Sequence, residues 1–426
     1  MTSPRTPGHE PLDGDTVADV VVVGAGLTGL WTAYYLLDAD AALDVLLVDQ
    51  DPLAADDDRS AAAGVDAGVC TTELDADGAR VAELFGPQVA AAARAAARDA
   101  VVEIGGVLAL EEIECGFTFG GAVRIALGAA QAARLEAHAR TARTWGDEWD
   151  VLGPDELADH VDVPGAALGA WTPDVAVLDP VSLAAGLRDV LRQRGARIAA
   201  STSAVRVSPR AVVTDRGTVR ARQVVVATGA GRGFAVPGVR AEKVSTLVTA
   251  PLDAAAWAHA GLDRRTAVVG SGRRGVLARR AGDRLVVTAD TDPRVAATRL
   301  FPALVAPAAS SRDGSPADTV RSGTLGRTAD GLPVVWLDDD GIAHAGGYGW
   351  AGHVMSNVAG RTLADLLTQT ESALTRLPWV RPAAPARDRL AAVRAAVLRA
   401  ASDRADAEEV VGGSPGPAAA LLDRLR

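Results

Sequence analysis

"DVVVVGAGLTGLWTAYYLL", residues 19 to 37, decides the fold. Val20 to Val23 is a continuous β-branched run, the composition of a strand buried on both faces of a parallel sheet. Gly24, Gly26 and Gly29 follow it in G-x-G-x-x-G spacing, and Leu27, Leu30, Tyr34 and Leu37 then recur at helical intervals. Val45 to Val48 reads as the next strand, with Asp49 at its end, 20 residues beyond Gly29. The first glycine lets the chain turn, the second lets a pyrophosphate reach the backbone, and the third lets helix and strand pack closely. Phosphates then meet the free N–H groups of the helix start, and the acid accepts hydrogen bonds from a ribose. This unit predicts a dinucleotide site built from Gly24, Ala25, Gly26, Leu27, Gly29, Asp49 and Gln50. The motif does not separate NAD from FAD.

Val20 to Leu37 carries no charge, yet it is not expected to span a membrane. Asp13, Asp15 and Asp19 precede it, where a signal peptide carries positive charge, and its glycines suit a tight turn. A chain of 426 residues exceeds one ordinary core, so two domains are expected. A net charge of −11 leaves no basic surplus to neutralise phosphates, which argues against a nucleic-acid partner. Lys243 is the only lysine; it reads as a solvated surface charge, or as a cation that assists oxygen attack. Cys70 and Cys115 form neither a metal spacing nor a disulfide framework, so no metal and a cytoplasmic location are expected. Residues 1–17, rich in Pro, Gly and Asp, read as a disordered lead.

Farther along, residues 76–104 are alanine-rich and helical, and 116–126 resemble a hairpin. Residues 127–144 and 153–160 are helical, and a helix from 178 ends at Gly195. "QVVVATGA", residues 223–230, is a second cofactor-like strand, some 200 residues after the first. A third glycine-rich stretch lies near 346. An NAD enzyme usually completes its fold with a contiguous second half, so this spacing points to FAD. Residues 240–320 alternate strand-like runs with turn signals, as in an antiparallel sheet. The expected class is α/β: a Rossmann-like FAD-binding domain (18–75, 165–238 and 323–376) interleaved with an α+β substrate domain on an antiparallel sheet (76–164 and 239–322). A C-terminal helical tail (377–426) follows. Within it, Leu390, Val393, Val397 and Ala401 share one face, expected to pack back on the FAD-binding domain.

These stretches together resemble the D-amino-acid-oxidase-like (DAO) family of FAD-dependent oxidoreductases, whose FAD domain is of the glutathione-reductase-like type. "VVVVGAGLTGL" with Asp49 is similar to its ADP-binding unit, and "RSAAAGVDAGVC" (59–70) to the loop beside the flavin. "VRARQVVVATGA" resembles the strand that returns under the cofactor, "GRTADGLPVV" (326–335) the T-x-D-G-x-P block, and "GGYGWAGHVMSNVAGRTLADLL" (346–367) the last flavin loop and helix. "IECGFTFGGAVRIAL", "STLVTAPL" and the tail look closest to the gamma-glutamylputrescine-oxidase-like branch. The resemblance implies further FAD contacts at Ala63, Gly64, Asp66, Gly68, Val205, Ala227, Thr228, Gly229, Gly347, Gly349, Gly352, Val354 and Met355. Tyr348, Trp350 and His353 are the candidate catalytic residues, against plain packing or surface roles.

The implied reaction is hydride transfer from the carbon beside an amine nitrogen to FAD, with O2 a candidate final acceptor and the imine hydrolysed to a carbonyl. Two departures bear on it. Leu325 occupies the position where amino-acid oxidases of the family carry a carboxylate-binding arginine, although Arg321 and Arg327 stand nearby. Gly323 occupies the position of the flavin-linking cysteine of sarcosine oxidases, so FAD is expected to be non-covalent. A non-amine donor such as a hydroxy acid, or a flavoprotein subunit of a larger complex, remains the alternative.

Overall fold

A computed structural model describes residues 10–52, 66–231, 234–263, 265–305, 318–382, 391–412, 418, 419 and 422. The first strand, Thr16–Val23, lies between Val45–Val48 and Thr218–Val226, parallel to both. Arg197–Ala199 extends the sheet on one side and Ile342–Gly346 on the other, again in parallel. Val334–Leu337 closes the edge antiparallel. Val20 to Val23 are buried, as a central strand requires. The helix Leu27–Ala39 crosses from the first strand to the second.

The first strand starts earlier than its valine run suggests. Leu12 donates its N–H to Thr202 Oγ1 at 3.0 Å, and Thr218 donates its N–H to Asp15 Oδ1 at 2.8 Å. The lead expected to be disordered is therefore tied to the sheet from Leu12 onward; residues 1–9 lie outside the described residues.

The helix Gly352–Leu367 packs against Leu27–Ala39 with no side chain between them at Gly360. A Cβ there would lie 2.7 Å from the Trp31 Cβ and 2.9 Å from the Thr32 nitrogen. The helix Pro87–Leu110 joins the same core through Ala90, Ala93, Ala97 and Ala100, whose small side chains let it approach closely. Sequence position groups this helix with the second domain; in the structure it packs against the helix Gly352–Leu367 and shares its core.

The second sheet runs in the order Thr319–Arg327, Arg240–Val248, Arg284–Ala289, Val276–Ala281, Ala267–Gly270, Ala122–Ala126, Leu168–Thr172, Asp150–Leu152. It is antiparallel except where Ala267–Gly270 meets Ala122–Ala126. One face packs under the helices Ala254–Ala260 and Pro293–Leu300. The other faces residues 66–70, where Val269, Leu277 and Val286 pack with Ala67 and Val69. The expected hairpin at 116–126 is absent. Thr118–Phe119 pairs with Ala176–Val177, and Ala122–Ala126 with Leu168–Thr172. Gly120 and Gly121 allow the change of partner, since a Cβ on either would overlap a neighbouring carbonyl.

The C-terminal helix Ala391–Gly412 docks beside the helix Ala129–Ala142, on the second sheet's side rather than on the FAD-binding domain. Val397 is 51% exposed, while Leu398 and Ala401 turn inward with Ala405. Charge chooses this face. Glu409, 0% exposed, lies 2.7 Å from Arg134 and 3.4 Å from Arg273. Leu390 and the Val393 side chain lie outside the described residues. Among the described residues, no helix is long and apolar enough to cross a membrane.

Gly360→Ala should destabilise the protein by about 1–3 kcal/mol, the usual cost of overpacking, even though alanine favours a helix by about 1 kcal/mol over glycine. A urea midpoint equal to that of the unsubstituted protein would show that the two helices have room to spare.

Candidate functional site

At the C-terminal ends of the parallel strands the backbones converge on Gly24. Its N–H donates to the Val48 carbonyl at 2.8 Å, its φ is +107°, and a Cβ would lie 2.8 Å from the Ala227 oxygen. A side chain on Gly29 would overlap the Gly24 carbonyl, whereas Gly26 opens on free space. Gly26 caps the helix Leu27–Ala39 with no side-chain bond, so first-turn N–H groups are left for an anion. Asp49 braces this loop, accepting the Ala25 N–H at 2.6 Å on Oδ2 and the Asp51 N–H at 2.9 Å on Oδ1. Burial pushes its carboxyl up, against those two donors. Each oxygen keeps a lone pair, so the acid can hold the loop and still accept ribose hydroxyls.

The helix Gly352–Leu367 also starts without a side-chain cap, and Gly352 has nothing within 4 Å of its Cβ position. Tyr348, just before it, accepts a 3.2 Å hydrogen bond from Thr28 Oγ1 in the first turn of Leu27–Ala39. Burial pushes its phenol up. His353 is buried rather than on the surface, at 2% exposure, and among the described residues its Nδ1 has no hydrogen-bond partner. Its Nε2 lies 3.3 Å from Asp66 Oδ2. Burial raises the Asp66 carboxyl, but His353, the Gly68 N–H and Arg279 more than offset this and hold it low. Two uncapped helix starts, a braced acid and a buried imidazole whose Nδ1 is unused fit a bound FAD.

A charged group borders this loop from the second sheet. Alternation from Val248 and Val286 puts Glu242, Thr246, Thr288 and Asp290 on the face turned toward residues 66–70. Glu242 stands directly opposite Leu325, and Arg327 ends the same strand. Arg327 Nε lies 3.3 Å from Asp75 Oδ2 and 3.5 Å from Glu242 Oε2, with its guanidinium 5.9 Å from the Trp350 ring centre. Asp75 accepts the backbone N–H of Trp350. Asp290 Oδ1 is 3.4 Å from Arg274 Nε. Burial pushes the carboxyls of Asp75 and Asp290 up, Arg327 opposing at the first and Arg274 at the second.

The sequence-derived candidates divide by location. Gly24 to Gly29 and Asp49 meet the turn at Ala227, Thr228 and Gly229, where Val236 N–H donates to the Gly229 carbonyl at 2.9 Å. A Cβ on Gly346 would lie 3.5 Å from Gly229, which brings the loop of Gly347, Gly349 and Gly352 beside it. Val354 and Met355 are wholly buried in the core behind that loop. Asp66 and Gly68 adjoin His353; Gln50 is exposed in a bend. Ala63 and Gly64 lie outside the described residues. Val205 stands apart, 61% exposed on the outer strand Ala204–Ser208. In that stretch Thr202, not Val205, approaches the acid, donating its N–H to the Asp49 carbonyl at 2.7 Å. Lys243 is exposed and, one residue from Glu242, points to the opposite face of its strand. Sequence reasoning missed Thr28, a variable position of the glycine motif, and Asp75, Glu242, Arg274, Arg279 and Asp290, which carry no motif; all meet their partners only through tertiary contacts.

A family model described as "FAD dependent oxidoreductase", DAO, matches residues 19–366. Solved structures share the fold. Glycine oxidase from Geobacillus kaustophilus is 19% identical with a TM-score of 0.68, the match covering 85% of this chain and 98% of that one. Iminodiacetate oxidase from Chelativorans sp. BNC1 is 20% identical with a TM-score of 0.63, covering 86% and 100%. An FAD-bound L-alpha-glycerophosphate oxidase from Mycoplasma pneumoniae is 14% identical with a TM-score of 0.63, covering 83% and 95%. No curated protein sequence matches this one.

Asp49→Ala should weaken FAD binding by tenfold or more, since a hydrogen bond to a charged group contributes about 1.5–3 kcal/mol; unchanged affinity in a flavin titration would remove its ribose role. Cys70 and Cys115 are both buried, and burial pushes both thiols up, so neither is poised to bond the flavin. Acid precipitation should release all the yellow colour; a yellow pellet would mean a covalent link.

Proposed function

The chain belongs to the DAO family of FAD-dependent oxidoreductases, and from that premise we propose that its donor is a primary or secondary amine with no carboxylate on the reacting carbon. The observation that carries this reading is the acidic group around Trp350. Asp75 and Glu242 both engage the Arg327 guanidinium and Asp290 lies beside Arg274, so three carboxylates gather near the ring, with Arg321 on the same sheet face. An amino-acid carboxylate wants a bidentate cation, and Arg327 is already engaged by Asp75 and Glu242. A protonated amine, in contrast, meets attraction at this face. The branch resemblance of residues 113–127 points the same way, toward a terminal amine.

Bound FAD supplies the two-electron acceptance. The uncapped helix starts and Asp49 hold its phosphates and ribose, and Trp350 with the second sheet keeps water from the donor. The amine must lose its extra proton before its α-carbon can give up a hydride. A carboxyl raised by burial, as at Asp75 and Asp290, is closer to accepting that proton than a surface acid. The resulting imine then hydrolyses to a carbonyl outside the protein's own chemistry.

Anaerobic mixing with polyamines, N-methyl amines, amino acids and hydroxy acids tests the reading through flavin absorbance at about 450 nm. Amines without an α-carboxylate should bleach it. Glu242→Gln should raise KM for such an amine about tenfold, the loss of one charge-assisted hydrogen bond of about 1.5 kcal/mol, with a smaller change in kcat. Bleaching by amino acids alone would favour Arg321, which faces the site opposite Thr246, as a carboxylate anchor. Bleaching by hydroxy acids alone would set the amine reading aside.

A further inference from the structure

The C-terminal helix reaches the donor site through one turn of chain. Asp406, buried on the helix Ala391–Gly412, accepts the Arg273 N–H on both oxygens, at 2.7 and 2.9 Å, and the Arg274 N–H at 3.2 Å. Three residues on, which is one helical turn, Glu409 grips the same turn through Arg273 and anchors it to Arg134, with Oε1 and Oε2 at 2.8 and 2.7 Å from the two Arg134 terminal nitrogens. Asp403, one turn before, lies 3.0 Å from Arg274 Nε. The helix thus presents carboxylates in register to residues 271–274.

The far side of this turn is the wall of the donor site. Arg274 donates an η nitrogen to the Asp290 carbonyl at 2.7 Å and sets its Nε near the Asp290 carboxylate. Asp290 returns its N–H to the Gly275 carbonyl at 3.3 Å. Gly275 lies against the Trp350 ring, and a Cβ there would overlap the indole. The Trp350 ring in turn packs with the sheet face, and its backbone N–H donates to Asp75. One rigid connection therefore runs from Glu409 and Asp406 through Arg274 and Gly275 to Asp290 and Trp350. Burying Asp406 and Glu409 is costly unless both stay paired, so the connection holds as a unit.

We propose that Asp406 and Glu409 are positioning residues for the donor site: the C-terminal helix sets the turn 271–275, and the turn sets Asp290 and the Trp350 ring. The inference takes its site from the reading above, but its structural half can be read without any substrate.

Asp406→Asn, measured as the FAD-loaded full chain, is the test. Hydrogen exchange should quicken at least tenfold in peptides covering 271–276 and 348–352, and remain as in the unsubstituted protein in the strands Thr16–Val23 and Val45–Val48. KM for the bleaching donor should rise about tenfold with FAD affinity unaltered, and Asp406→Glu should recover most of the loss. If Asp406→Asn does not fold, Glu409→Gln is measured in its place with the same expectations. Faster exchange confined to 271–276, or an unaltered KM, would overturn the proposal. Loosening at 348–352 in a protein that no amine bleaches would keep the positioning link and sink the amine reading.

Discussion

The contact on which the rest depends is the crossing of Leu27–Ala39 and Gly352–Leu367 at Gly360. It joins the first and last parts of the matched family region in one core. Without a Cβ at Gly360, the Trp31 backbone approaches the later helix directly. That closeness carries the two uncapped helix starts to the same side of the sheet and lets Thr28 reach the Tyr348 hydroxyl. FAD carries its pyrophosphate in the middle and its flavin ring at one end, and the crossing sets two helix starts without side-chain caps where they would meet them. The alanine face of Pro87–Leu110 serves the same demand, filling space behind the crossing with little side-chain volume.

The second sheet contributes what the nucleotide sheet cannot, a wall of charged side chains. Its outer face is apolar and covered by helices, so polar residues of the inner face have only the cleft and residues 66–70 to meet. Asp75 and Glu242 both lie against Arg327 there. The C-terminal helix is attached to this wall by buried ion pairs rather than by an apolar stripe. Of the predicted apolar face, Val397 lies on the exposed side while Ala401 turns inward, and Asp406 and Glu409 define the buried side.

Much of the fold is legible in the chain because it is locally encoded. The Val20–Val23 run, the glycine spacing and Asp49 each act within a few turns of backbone, and each lies where that local physics puts it. Errors arose where distant partners decide. Residues 116–126 have the look of a hairpin, yet each half pairs with a strand some 50 residues away. Val205 sits near the nucleotide strands in sequence, but the meander carries it to the sheet's edge and leaves Thr202 beside Asp49. A first-turn helical position usually faces water, yet Asp66 and the core bury the candidate His353.

The sequence by itself determined the dinucleotide unit, the cofactor class and the interleaving of two sheets, since periodicity, glycine placement and strand order are properties of a linear string. Only the tertiary structure decided which charged side chains gather around Trp350. Asp75, Glu242, Arg274, Asp290 and Trp350 come from separate segments, and what each can do depends on which charge lies within a few ångströms. Coulomb energies and desolvation depend on distance and burial, and neither is written in the order of residues.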